Sequence, residues 1–235
     1  MKVEIWSDVM CPFCYIGKRR FEQALSAFPQ KEQIEIVWKS FQLNPAMKTD
    51  PEKNINEYLA DIKGWSVDHA RQMNDRVTDM AAEVGLHYDF DKAIVANSFD
   101  AHRLIQLAKA NGKGDEMEER LFKAYFTEGK NTADHDTLLE LGIEIGLDKA
   151  AIQQVLASNE YAQHVQQDIY ESQQIGIRGV PFFLLNDHYA VSGAQATETF
   201  SAALDKAWAE WEKTRPTIQS IGGADGAVCT DESCG

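Results

Sequence analysis

At the start of the chain Val3 and Ile5 alternate with polar neighbours, the two-residue period of a strand. The apolar positions then change to helical spacing at Phe21, Leu25 and Phe28. Alternation returns over 33–41, where Ile34, Ile36 and Trp38 stand against polar partners. This predicts a second strand, parallel to the first through the helical crossover. Leu43-Asn44-Pro45 ends it, and 48–54 reads as a polar loop. From about Asn56 to Gln174 the spacing is helical, with stops at Gly64, Gly85, Gly112, Gly129, Gly146 and Gly176. Ser66 is placed to cap a helix that buries Val67, Ala70, Met73, Val77, Met80, Ala81 and Val84. Ser98 is placed to cap one that buries Ala101, Leu104, Ile105 and Ala108, while Asp136 and Asp148 open two short helices. Tyr161, Val165, Ile169 and Ser172 lie along the last helix of this block. Strand patterning resumes over 179–185, with a turn at Asn186-Asp187 and a partner strand over 189–191, a hairpin. A helix with Phe200, Leu204, Ala207, Trp208 and Trp211 on one face follows.

The order is strand, helix, strand, helical block, hairpin, helix. Without the helical block it reads βαβ then ββα, an α/β arrangement. The expected organisation is a discontinuous α/β domain over 1–50 and 175–214, a helical insertion over 51–174, and a tail over 215–235. That tail is rich in Gly, Ala, Ser and Asp, reads as flexible, and carries Cys229 and Cys234.

Composition narrows the classes. At 235 residues, 44 % hydrophobic and 26 % charged, the chain can bury a substantial core. A net charge of −14 argues against nucleic acid as a partner, because its phosphates would repel this surface. No apolar run approaches the roughly 20 residues needed to span a bilayer. The sequence as it begins has Lys2, Glu4 and Asp8 and no apolar leader, so a cytoplasmic location is expected. In a reducing compartment cysteine pairs are catalytic, sensing or metal-binding more often than structural. The six histidines, His69, His87, His102, His135, His164 and His188, lack metal-binding spacing and read as surface or capping residues. Met73, Met80 and Met117 read as core gap-fillers rather than soft-metal ligands.

The candidate chemistry sits where the first strand gives way to the first helix, at Cys11-Pro12-Phe13-Cys14. Unpaired N–H groups and the positive end of the helix dipole favour an anion there, so Cys11 is the expected thiolate and nucleophile. Pro12 suits the first helical position, where its missing N–H has no partner to lose. Cys14, one turn further in, is placed as the resolving thiol. The same pair also fits a zinc half-site or a buried structural pair. Asp8 reads either as a proton relay to Cys14 or as a hydrogen-bonded strand-end carboxylate. Pro181 opens a strand, which a cis Val180–Pro181 bond or an ordinary trans proline on an edge strand would each allow.

Three stretches together resemble the DsbA-like proteins of the thioredoxin superfamily, and within them the FrnE subgroup. They are Ser7-Asp8-Val9-Met10-Cys11-Pro12-Phe13-Cys14-Tyr15-Ile16-Gly17, Phe41-Gln42-Leu43-Asn44-Pro45 and Gly176-Ile177-Arg178-Gly179-Val180-Pro181-Phe182-Phe183. The resemblance implies a thioredoxin fold (βαβ–ββα) with a large helical insertion and a cis Pro181 beside the dithiol. It implies Cys11 as nucleophile, Cys14 as resolving thiol, and protein or peptide thiols and disulfides as partners, with glutathione or a thioredoxin-type reductant as electron donors. A free Val180 backbone is expected to pair with an extended substrate. No cofactor, metal, nucleic acid or membrane is called for. Phe13, where periplasmic DsbA has histidine, carries no charge to stabilise a thiolate, so a weaker oxidant is expected. The tail pair Cys229/Cys234 is expected to act as a second redox couple. Two other activities fit the resemblance less well. One is a glutathione-dependent isomerase or kappa-class-like transferase, which typically has Ser at the first motif position; the other is a holdase.

Overall fold

The computed structural model describes residues 1–214; the expected tail, with Cys229 and Cys234, lies outside the described residues. β1 (Lys2–Ser7) feeds α1 (Pro12–Ala27), and after a 3-10 turn at Lys31–Gln33 β2 (Glu35–Ser40) returns parallel to β1. The register sets Lys2 against Glu35 and Ser7 against Ser40. The chain then leaves the sheet. β3 (Asp50–Asn54), α2 (Ile55–Lys63), α3 (Val67–Ala82), β4 (Ile94–Val95) and α4 (Phe99–Ala110) come first. α5 (Gly114–Phe126), α6 (His135–Glu144), α7 (Lys149–Ala157) and α8 (Ala162–Ile175) complete the excursion. β5 (Phe182–Leu185) and β6 (Tyr189–Ser192) return to the sheet, and α9 (Thr197–Thr214) closes it.

The sheet order is β2-β1-β5-β6, with β5 antiparallel to β1 and β6 antiparallel to β5. This is the βαβ–ββα thioredoxin fold with its helical insertion between β2 and β5. Asn186 and Asp187 both take positive φ, 53° and 54°, as a tight two-residue hairpin turn requires. β1 is buried on both faces. Val3 and Ile5 pack with Phe21, Phe183, Phe200 and Leu204, the side covered by α1 and α9. The Trp6 indole N–H donates to the Asp168 carbonyl of α8, 3.0 Å away.

Several local expectations are corrected. The loop expected at 48–54 forms β3, whose partner is the two-residue β4. The Asn54 side chain caps α2 by accepting from the Asn56 N–H. Ser66 caps α3 as expected, through the His69 N–H, but Val67 is exposed rather than buried. Ser98 precedes α4 without a side-chain cap bond, and Asn97 accepts from the Phe99 N–H instead. Asp134, not Asp136, caps α6, while Asp148 caps α7. Gly64 and Gly176 end α2 and α8 in the left-handed conformation, where a side chain would be strained. The last hairpin begins pairing at Phe182, after Pro181 rather than before it.

α4 departs most from a one-faced helix. Every residue from Ala101 to Ala108 is buried, because α5, α6, α7 and α8 all pack around it. Its polar residues are therefore interior. The Arg103 guanidinium is used up on the carbonyls of Val155, Ser158 and Glu160 and on the Asp100 carboxylate. Gln106 donates to Asp168 and to the Ser40 hydroxyl, tying α4 to α8 and β2.

Candidate active site

The end of β1 and the start of α1 place Cys11 at the N-cap and Pro12 at the first helical position. The Cys11 N–H donates to the Asp8 carbonyl at 2.9 Å, and the Cys14 N–H donates to the Cys11 carbonyl at 3.0 Å. Both cysteines are free thiols. Cys11, expected at an exposed helix start, is only 3 % exposed, and Cys14 1 %. The correction has a cause: the loop before β5 lies over the motif. The Val180–Pro181 bond is cis, and the Cys11 S–H donates to the Val180 carbonyl at 3.4 Å. The Val180 carbonyl, expected to be free, thus already has a partner in the dithiol form.

The two sulfurs differ in surroundings. Burial pushes the Cys14 thiol well above the ordinary cysteine value, and the adjoining Cys11 sulfur pushes the same way. The neighbouring Asp8 backbone N–H and Ser7 hydroxyl offset part of that rise. Cys14 therefore holds its proton in the interior of the site. Of the two roles open to Asp8, the structure shows the hydrogen-bonded one. Its carboxylate accepts from the Leu43 N–H at 2.7 Å and the Met10 N–H at 3.4 Å, and its contact with Cys14 is through its backbone. Phe13, 38 % exposed, and Leu43, 51 % exposed, leave an apolar surface around the motif.

Pro181 and α1 meet closely. A Cβ at Gly17 would lie 2.9 Å from Pro181 Cγ, with Ala194 and Phe183 at 3.5 Å, so only glycine lets α1 approach this ring without displacement. Neither the proline ring nor the helix is a flexible side-chain end. Gly17→Ala is expected to cost about 1–3 kcal/mol in urea unfolding and to slow disulfide reduction; unchanged stability would mean that the contact yields freely.

Sequence reasoning missed much of what surrounds the sulfurs. Tyr88 donates to the Pro12 carbonyl at 2.8 Å from an irregular stretch with no period to mark it. Tyr15, Tyr88, Phe122 and Phe126 stack below the motif, with Tyr15 and Phe122 centroids 4.9 Å apart. His102, expected at the surface or as a cap, is fully buried, its Nε2 3.5 Å from Asp8 Oδ1. The sequence signal was present but ambiguous: His102 sits among the apolar positions of α4, where burial all round cannot be told from a one-faced helix. Cys229 and Cys234 lie outside the described residues. No described helix is long and apolar enough to cross a membrane.

The geometry defines a class: a thioredoxin-fold protein with a dithiol at the end of its first strand and a cis-proline loop over it. Residues 2–205 match the DSBA-like thioredoxin domain, and the chain belongs to that family. It is similar to a probable DsbA oxidoreductase from Streptomyces coelicolor, at 38 % identity and a TM-score of 0.85, covering 98 % of this chain and 100 % of that one. It shares its fold with a 2-hydroxychromene-2-carboxylate isomerase, at 14 % identity and a TM-score of 0.66, covering 92 % and 100 %. It also shares its fold with the cytosolic disulfide reductase DsbM from Pseudomonas aeruginosa, solved with GSH, at 18 % identity and a TM-score of 0.60, covering 91 % and 98 %.

Proposed function

We propose that this protein is a disulfide reductase or isomerase of the FrnE subgroup, acting on protein or peptide disulfides in the cytoplasm. The unequal setting of the two thiols carries the reading: Cys14 is enclosed and holds its proton, while Cys11 sits at the helix N-terminus facing the Val180 loop. Cys11 attacks a substrate disulfide and releases one substrate thiol. Cys14 then attacks Cys11, the mixed disulfide breaks, and the second substrate thiol leaves. In this reading Pro12 starts the helix, Phe13 and Leu43 give substrate an apolar landing surface, and Pro181 with Val180 walls the sulfurs. The Val180 carbonyl, released as Cys11 reacts, becomes an acceptor for an extended substrate backbone.

Net reduction is favoured over net oxidation, since a cytosolic glutathione poise keeps most dithiols reduced. Glutathione is the first electron donor to test, because the fold neighbour DsbM was solved with GSH. The paired thiols favour dithiol chemistry over the isomerase activity of the other neighbour. Insulin reduction driven by glutathione or by a thioredoxin-type donor tests the reading. Suppression of citrate-synthase aggregation by protein lacking both Cys11 and Cys14, with no insulin reduction by the unaltered protein, would make it a holdase instead.

The tail pair is proposed as a second couple that exchanges with the first. Fifteen residues from Thr214 to Cys229 reach at most about 50 Å. Truncation after Ser220 is expected to slow recycling of the oxidised motif, and Cys14→Ser protein is expected to yield Cys11-to-tail disulfides on peptide mapping. If no such disulfide forms and recycling is unchanged, the tail has no part in the exchange.

A further inference from the structure

Below the motif, two ionisable side chains of the helical insertion have no use in the exchange just described: His102 on α4 and Glu118 on α5. They are 0 % and 1 % exposed. His102 Nε2 lies 3.5 Å from Asp8 Oδ1, an ion-pair distance too long for a well-formed hydrogen bond. Neither ring nitrogen of His102 and neither carboxylate oxygen of Glu118 has a hydrogen-bond partner among the described residues. The groups that face His102 are Asp8 from the motif turn, Glu118 from α5 and the Phe41 carbonyl beyond β2. Those that face Glu118 are His102, Asp115, Lys18 and Asp8. Burying a carboxylate and an imidazole with so few partners is costly, and the same helices fill neighbouring positions with Ala101, Leu104, Ile105 and Leu121. Packing alone does not call for these residues.

What they touch gives them a role. Asp8 adjoins both cysteines through its backbone: its carbonyl accepts from the Cys11 N–H at 2.9 Å, and its N–H draws the Cys14 thiol pKa down. Its carboxylate ties the turn to the Leu43 loop. We propose that His102 and Glu118 are positioning residues for the resolving cysteine: a protonated His102, flanked by Glu118, pairs the Asp8 carboxylate, and Asp8 so held sets its N–H against Cys14. The inference rests on the dithiol reading above. It acts on resolution, in which the Cys14 and Cys11 sulfurs join, the Cys11–substrate bond breaks, and the substrate leaves as a thiol with the proton from Cys14.

The pH dependence follows in sign. Burial alone would strip the His102 proton, but Asp8 and Glu118 outweigh it and hold the pKa above the ordinary histidine value. Burial pushes the Glu118 carboxyl up to about 7, against the pull of His102. The cation facing Asp8 therefore persists to higher pH than on an ordinary histidine. It is lost as the pH rises beyond the ordinary histidine range, and resolution loses its support on that side.

Ellman's reagent separates the two steps in full-length protein whose tail cysteines are replaced by serine. Cys11 attack releases one chromophore and Cys14 attack a second, and excess reagent makes the first phase outrun the second. His102→Gln is expected to slow the second phase about tenfold near neutral pH, leaving the first within about twofold. Glu118→Gln, matched in shape, is expected to move the midpoint of the second phase's pH profile by about half a unit or more. Equal slowing of both phases by His102→Gln, or of neither, overturns the inference. Should His102→Gln fail to fold, the Glu118→Gln midpoint decides: an unmoved midpoint overturns it. Unaltered motif that gives no second release sinks the dithiol reading itself, a different result from a second release indifferent to His102.

Discussion

Cys11→Ser is expected to abolish insulin reduction, by about a hundredfold or more, while Cys14→Ser protein accumulates substrates as stable mixed disulfides. The asymmetry follows from the positions of the sulfurs. Cys11 occupies the helix N-cap position, and its S–H donates to the Val180 carbonyl, one contact that an incoming disulfide displaces. Cys14 is enclosed beside the Asp8 N–H and the Ser7 hydroxyl, and burial keeps its proton in place. A nucleophile in that position is useful only after substrate has been bonded to Cys11 beside it. Alkylation near neutral pH followed by peptide mapping measures the same asymmetry, with Cys11 labelled well ahead of Cys14. Because both thiols are nearly inaccessible, at 3 % and 1 % exposed, labelling is expected to be slow overall and to speed up when urea loosens the site. Equal rates for the two thiols would remove the assignment of roles, and trapping through Cys11→Ser protein would reverse it.

Glu118→Gln is expected to stabilise the protein by about 3 kcal/mol near pH 8 and by only about 1 kcal/mol near pH 5, on a pKa of about 7 against 4.5. Burial is the main cause of the raised value, with Asp115 and Asp8 adding to it and His102 and Lys18 opposing. The folded carboxyl prefers to be neutral, so its contribution to stability is fully present below the unfolded value of 4.5. It is lost as the pH rises through about 7. Glutamine keeps the shape and never ionises, so the loss disappears in the variant and the gap between the two proteins widens with pH. Urea unfolding at several pH values from about 5 to 8 measures it. A constant difference across that range would show that the Glu118 carboxyl holds its proton no more tightly folded than unfolded. The two outcomes are connected, since a carboxylate retained at a stability cost under the motif is what a functional role for it predicts.

The order of elements was legible in the sequence because each has its own period. Val3 and Ile5 alternate, Phe21, Leu25 and Phe28 step by helical turns, and the Asn186-Asp187 turn names its hairpin. The motif was legible for the same reason: a strand-to-helix change of period located Cys11 and Cys14 at a helix start, and Pro12 confirmed the register. Caps were readable to within a residue or two, as Ser66 and Asp148 show, and failed where two acceptors lie close together, as with Asp134 and Asp136. Tertiary structure decided what lies across the chain from each residue. Cys11 is covered because a loop about 170 positions away folds over it, and no local pattern encodes that contact. Gly17 is needed because Pro181 comes to 2.9 Å of where its side chain would be. His102 is interior because four helices close around α4, a fact that its apolar neighbours suggest but their period cannot decide. Periodicity records which face of an element is apolar; which other element covers it, and which polar groups are then enclosed together, is settled only when the whole chain packs.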